Sequence, residues 1–138
     1  METIIQHIAL DLVKKITKKA YSGGINDIDA LASDVLVDCR KAASLVIEAI
    51  YSQINVQIRE DKAERKKLGL VLKEKERKRE LLTEQGRLSL PRDYYYDRNN
   101  GRYVSVLDYI TGIRAYERIG NNLSACMVNL ATDMSYAK

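Results

Sequence analysis

Residues 69–107 read GLVLKEKERKRELLTEQGRLSLPRDYYYDRNNGRYVSVL, and the fold turns on how this stretch divides. Leu70-Val71-Leu72 and Glu80-Leu81-Leu82-Thr83 are short apolar runs, and Glu84-Gln85-Gly86 is a tight-turn sequence. Arg87-Leu88-Ser89-Leu90 alternates polar and apolar residues with the period of two that a half-buried strand requires. Arg98-Asn99-Asn100-Gly101 contains Asn-Gly, the strongest short hairpin signal. Tyr103-Val104-Ser105-Val106-Leu107 alternates again. The reading is a small antiparallel meander of three or four strands within residues 68–110. Pro91 cannot donate to a ladder and belongs at an edge or an irregularity.

Upstream the texture is helical. Ile5, Ile8, Leu12 and Ile16 recur at three- and four-residue spacings between Thr3 and Ala20, and Lys14, Lys15, Lys18 and Lys19 gather near the end, where they favour the helix dipole. Tyr21-Ser22-Gly23-Gly24 breaks this helix. A second, long helix is predicted from a cap at Asn26 or Asp27 to about Lys67, with no proline or glycine inside it. It carries a small-residue stripe (Ile28, Ala32, Val35, Cys39, Ala42, Val46, Ala49) and a bulkier one (Leu36, Ala43, Ile47, Ile50, Ile54, Ile58). Two stripes predict burial on two sides, by the first helix and by the sheet or a second subunit, so a homodimer through the long helix is an expectation. Downstream, Gly120-Asn121-Asn122 caps a helix running through Leu123, Met127, Leu130 and Met134, and Ser135-Tyr136-Ala137-Lys138 reads as the cap of a further helix. The chain is therefore expected to stop in mid-structure. The fold class is α+β: two amino-terminal helices, a small antiparallel sheet and a carboxy-terminal helix.

With 138 residues the chain suits one domain with its own core. Its net charge of +4 is unevenly spread: residues 59–92 hold twelve basic and seven acidic side chains, whereas residues 1–58 hold six and seven and residues 93–138 five and five. A local basic excess points to a polyanionic partner, although a mixed-charge run also serves as a plain solvated face. No stretch reaches the roughly 20 consecutive apolar residues of a membrane span, and no secretory signal pattern is present, so a cytoplasmic location is expected. Cys39 and Cys126 lie far apart in helical patterns and read as reduced core thiols.

Most chemistry is disfavoured by residue type. His7 is the single histidine, which leaves no histidine pair or His-Cys cluster for metal, and no cofactor is implied. Gly23-Gly24 lacks the strand and lysine of a phosphate loop. Tyr94, Tyr95 and Tyr96, near Arg92, Arg98 and Arg102, invite comparison with tyrosine nucleophiles, but such sites need a positioned base and several cations around the phosphate. Structural use is the simpler account, with alternate tyrosines packed on one face and the middle one outward. The acids interleave with bases, as in Lys73-Glu74-Lys75-Glu76-Arg77, and form no two-metal constellation. What remains is a binding surface: Lys73, Lys75, Arg77, Lys78 and Arg79 on the first hairpin, Arg87 and Arg92 on the neighbouring strand, and tyrosines behind them, a set able to neutralise phosphates. An RNA-binding protein would use the same hairpin.

The stretch from Leu82 to Lys138 resembles the ISLre-type insertion-sequence transposases, a group also filed as an uncharacterised protein family. The matching positions are Thr83, Gly86, Arg92, Tyr95, Tyr96, Gly101, Tyr103, Val104, Leu107, Asp108, Gly112, Ser135, Tyr136 and Lys138. In that family the Ser-Tyr-x-Lys sequence leads into a helix-turn-helix-like region and an acidic, metal-dependent catalytic core, and this chain holds neither. The residue patterns divide the chain into a helical region over 1–67, a hairpin region over 68–110 and a terminal helix within 111–138, where the resemblance implies the opening of a truncated helix-turn-helix-like segment. The resemblance further implies a non-catalytic region that binds double-stranded DNA at a transposon end or supports assembly. The alternative is a helical dimerisation module that binds no nucleic acid.

Overall fold

The computed structural model describes residues 2–113, 125 and 127–132. Helix α1 (Glu2–Tyr21) turns Ile5, Ile8, Leu12 and Ile16 into partial burial against α2 (Ile28–Glu60). The Lys19 ammonium donates to Asp38 Oδ2 at 2.7 Å and ties the two helices. Between them Gly23 takes φ 112° ahead of a single 3₁₀ turn, Gly24–Asn26. Asp27 then caps α2, its carboxylate accepting from Ala30 N at 3.1 Å, which satisfies one of the orphan donors of the first turn.

The long helix ends sooner than its apolar pattern predicts. Asp61 leaves helical geometry (φ −78°, ψ 67°) and its side chain accepts from Glu64 N, so a separate helix α3 (Lys62–Lys67) begins there. Periodicity cannot register such a break, because aspartate achieves it by offering the backbone an alternative partner. The two-sided burial expected for α2 holds from Ala42 to Ile58; nearer its start, Ile28, Ala32, Leu36 and Cys39 are exposed. Cys39 is thus a free thiol at the surface instead of a core residue.

Leu70–Leu72 and Glu80–Thr83 are the two ends of one strand, β1 (Leu70–Thr83), and the basic run lies inside it. Strand β2 (Gly86–Asp97) pairs with β1 through a turn closed by Thr83 and Gly86, and β3 (Arg102–Val104) pairs on the other side of β2 near its end. The result is a three-stranded antiparallel sheet in the order β1-β2-β3. At the entrance to β1, Gly69 has φ 71°, and a side chain there would press on the Asn99 amide. The expected strand through Leu107 stops at Val104, because Ser105 caps a short helix, α4 (Val106–Thr111), by accepting from Asp108 N. Ala125 and Met127–Thr132 are helical, in keeping with the predicted terminal helix. Its proposed cap at residues 120–122, Cys126, Met134 and the Ser135–Lys138 sequence lie outside the described residues.

Most of β2 has no strand on the side away from β1, and α2 occupies that side. Glu48 Oε1 accepts from Ser89 N at 2.8 Å and Asn55 Oδ1 from Asp93 N at 2.9 Å. Strand N–H groups alternate in direction, so Pro91, midway between these two, places its missing donor toward the same open edge. The core is Leu88, Leu90, Tyr95 and Leu107, each at most 5% exposed. Tyr95, the middle tyrosine, therefore points inward, with Tyr94 and Tyr96 on the other face. Alternation set the period but not the phase, and the phase is decided by Asp93.

Asp93, 1% exposed, accepts from Asn55 Nδ2 (3.1 Å), Arg59 Nε (2.6 Å) and Nη2 (2.9 Å), Glu76 N (2.9 Å) and the Tyr95 hydroxyl (3.4 Å). Burial alone would raise its pKa, but the Arg59, Glu76 and Asn55 donors outweigh burial and hold the carboxyl below its ordinary value. The Glu76 donor sits in the irregular part of β1, where the register against β2 shifts twice and Glu76 adopts φ 53°.

Replacing Arg59 by Met leaves Asp93 buried without its cation, and should cost about 3–5 kcal/mol in denaturant unfolding at pH 7. Because the folded pKa of Asp93 is depressed, its contribution is complete above the unfolded value of about 4 and is lost as pH falls through the folded value. The stability gap between wild type and Asp93→Asn should therefore stay constant from neutral pH to about 5 and close below about 4; a gap unchanged at pH 2 would contradict this assignment. At the bulge, Glu76→Gly should leave thermal stability unchanged or raise it by up to about 1 kcal/mol, whereas Glu76→Val should lower it.

Candidate nucleic-acid interface

Bulges in β1 change which way its basic side chains point. Lys73, Lys75, Arg77 and Lys78 are all exposed on β1, and Arg87 is exposed on β2. Arg77 lies 3.6 Å from Glu74, and Arg87 lies 3.4 Å from Glu80; all four side chains are more than half exposed, so these pairs are weak competitors for a polyanion.

Arg79 and Arg92 are placed differently. Their side chains are 9% and 11% exposed, and both donate through Nη1 to Asp108 Oδ2, Arg79 at 3.2 Å. Asp108 stands in the first turn of α4, which Ser105 caps, so the ion-pair cluster clamps α4 onto the sheet. Both arginines thus serve as the floor of the surface, beneath the exposed cations.

On that floor stands Tyr94, with the guanidinium of Arg92 4.9 Å from its ring centroid and that of Arg77 5.3 Å away. Such cation–π stacking holds Arg77 in place on its exposed side. Tyr103 is the cross-strand partner of Tyr96 and meets it edge-on, with centroids 5.3 Å apart. Tyr94, Arg77, Lys78, Arg92, Arg102, Tyr103 and Tyr109 line one open concavity of about 1420 Å³, larger than the roughly 300–1,000 Å³ typical of small-molecule sites. Of the residues singled out from sequence, Arg77, Lys78, Arg79 and Arg92 meet here; Lys73, Lys75 and Arg87 lie outside it. Arg102, Tyr103 and Tyr109 join the surface without having been singled out as binding residues. The Asn-Gly turn did contain one signal, since closing that hairpin puts Tyr103 opposite Tyr96.

Tyr95 and His7 bond within the fold. Tyr95's hydroxyl donates to Asp93, and burial, followed by the Asp93 charge, pushes its pKa up to about 12, the reverse of what an activated nucleophile needs. His7 is exposed on α1 and donates from Nδ1 to Thr3 O at 2.6 Å. Among the described residues no three histidine, cysteine or acidic side chains converge as a metal site, and no helix is long and apolar enough to cross a membrane.

Comparison of the sequence with known proteins places the chain in a family. A UPF0236 protein of Caldanaerobacter subterraneus subsp. tengcongensis is 31% identical over 140 residues, covering 99% of this chain and 29% of its own length. A second from the same organism is 29% identical with the same coverage, and a third is 34% identical over 92 residues, or 67% of this chain and 19% of its own. The chain thus spans less than a third of the curated relatives it matches. No solved structure matches it. The family model of the uncharacterised protein family UPF0236 matches residues 23–138, and the chain belongs to that family.

Proposed function

We propose that this chain is the non-catalytic DNA-binding and assembly region of an insertion-sequence transposase of the ISLre type, acting in the cytoplasm on the ends of its element. The observation that carries the reading is the convergence of Arg77, Lys78 and Arg102 with Tyr94, Tyr103 and Tyr109 on one open face. Exposed cations on a rigid sheet neutralise phosphates and release counterions, and tyrosines add hydrogen bonds or stacking. The relatives lend support from another direction: one name spans eleven loci of a single genome and another spans four, the distribution that an element copying itself leaves behind. Catalysis, on this reading, belongs to a part of the transposase outside these residues.

A second reading, assembly without nucleic acid, draws on the helical hairpin. Ile28, Leu36, Val37 and Leu45 of α2 and Ile4 and Val13 of α1 are each between 46% and 72% exposed. Exposed apolar side chains spread over both helices leave apolar area for a protein contact, part of which a homodimer through α2 would cover.

Replacing Arg77, Lys78 and Arg102 together by Ala should weaken duplex binding in fluorescence anisotropy and reduce the salt slope by roughly 2–3, about 0.9 for each phosphate no longer neutralised. Unchanged affinity and slope would remove this face from the reading. For assembly, analytical ultracentrifugation at tens of micromolar should find a dimer that Leu36→Glu with Leu45→Glu converts to monomer; a monomeric wild type would defeat the dimer.

A further inference from the structure

We propose that the basic concavity receives unpaired nucleotides, with bases stacked on Tyr103 and Tyr109 and the strand's phosphates on Arg77, Lys78 and Arg102. The proposal rests on the nucleic-acid reading of this face and narrows its substrate to a single-stranded stretch, such as a DNA end whose terminal pairs have opened.

Exposure is the first argument. Tyr103 is 66% and Tyr109 89% exposed, whereas Tyr95 is 1% exposed, so the fold stabilises itself with one tyrosine and presents two others to solvent. These rings stand on the same surface as the cations and share one concavity with them. In a duplex the faces of the bases are covered by their neighbours, and a ring protruding from a protein finds only the sugar-phosphate exterior. An unpaired base offers its π-face, and stacking on aromatic rings along a cationic groove is the general way proteins hold single strands.

Order within the surface is the second argument. Tyr103 is held edge-on against Tyr96 by strand pairing at 5.3 Å, which orients its ring before any ligand arrives. Arg77 is likewise oriented by Tyr94. Two pre-oriented groups of different chemistry, one a flat ring and one a phosphate donor, suit a ligand that alternates bases and phosphates. The concavity sets Leu68, Val104, Val106 and Ile113 beside Arg102, Lys78 and Asp108, so its walls offer apolar contact to bases as well as cations to phosphates.

The test is fluorescence anisotropy of the full chain against a blunt duplex, the same duplex with an unpaired tail, the isolated strand, and an RNA of that sequence. Tailed duplex and isolated strand should bind about tenfold or more tightly than blunt duplex, and Tyr103→Leu with Tyr109→Leu should remove that advantage. The Phe replacements at both positions should retain it, because stacking needs the ring and not the hydroxyl. Both side chains are exposed, so the variants should keep the wild-type circular dichroism and melting temperature. If blunt and tailed duplexes bind equally, or the Phe variants lose as much as the Leu variants, the proposal fails while the DNA-binding reading stands. RNA bound to the exclusion of the DNA strand would also overturn it, since that preference would rest on the 2′-hydroxyl. If none of the four ligands shows salt-sensitive binding, the nucleic-acid reading of the face fails with it.

Discussion

A carboxylate taken out of water is costly unless every lone pair finds a donor and its charge finds a partner. Asp93 meets that requirement by drawing together groups from three places: Asn55 and Arg59 of α2, the Glu76 amide in the irregular part of β1, and Tyr95 two residues along its own strand. Since no local arrangement of a strand could supply these donors, satisfying one side chain forces α2 onto the sheet and holds β1 in its bulged course. Asn55 is itself 2% exposed, and its side-chain carbonyl accepts a hydrogen bond from Asp93 N, so the contact is reciprocal. A network closed in this way specifies a single docking angle, which an apolar contact of similar area would leave freer.

The candidate face is a consequence of that docking. With Asp93 and Tyr95 facing inward, strand alternation turns Arg92, Tyr94 and Tyr96 to the opposite side. There Asp108 pairs with both Arg92 and Arg79 beneath the surface, leaving the more exposed Arg77 stacked on Tyr94. One acid thus organises the helix side of the sheet and another organises the opposite side. The surface charge is carried by residues that neither acid claims. The helical hairpin is built on different terms, with one interhelical ion pair from Lys19 to Asp38 and many half-exposed aliphatic side chains. Its exposed aliphatic side chains face solvent, while the sheet presents cations and rings.

Much of the architecture was legible in the residues. The amphipathic period of α1, the Asp27 cap, the turn at residues 84–86, the Asn-Gly hairpin and the edge position of Pro91 each follow from local backbone chemistry, and each holds. The interruption at Asp61 and the start of α4 at Ser105 were not legible, although both are caps, because aspartate and serine are equally at home on a solvated helix face or in a strand. Which of two residues a stretch of chain uses as its cap is settled by what it packs against afterward. The candidate site divides in the same way. Arg77 and Lys78 were evident as a basic run, but Arg79 of the same run and Arg92 of the neighbouring strand are set apart by facing Asp108.

From the sequence alone came features with a range of a few residues: periods, turns, the Asp27 cap and the location of the basic excess between Arg59 and Arg92. Tertiary structure decided the phase of the tyrosine run, the continuity of β1 through its charged centre, and the burial of Arg79 and Arg92. The physical reason is common to all three. A period of two leaves either face equally able to turn inward, and only a partner distant in sequence, Arg59 for Asp93 and Asp108 for the two arginines, breaks that symmetry.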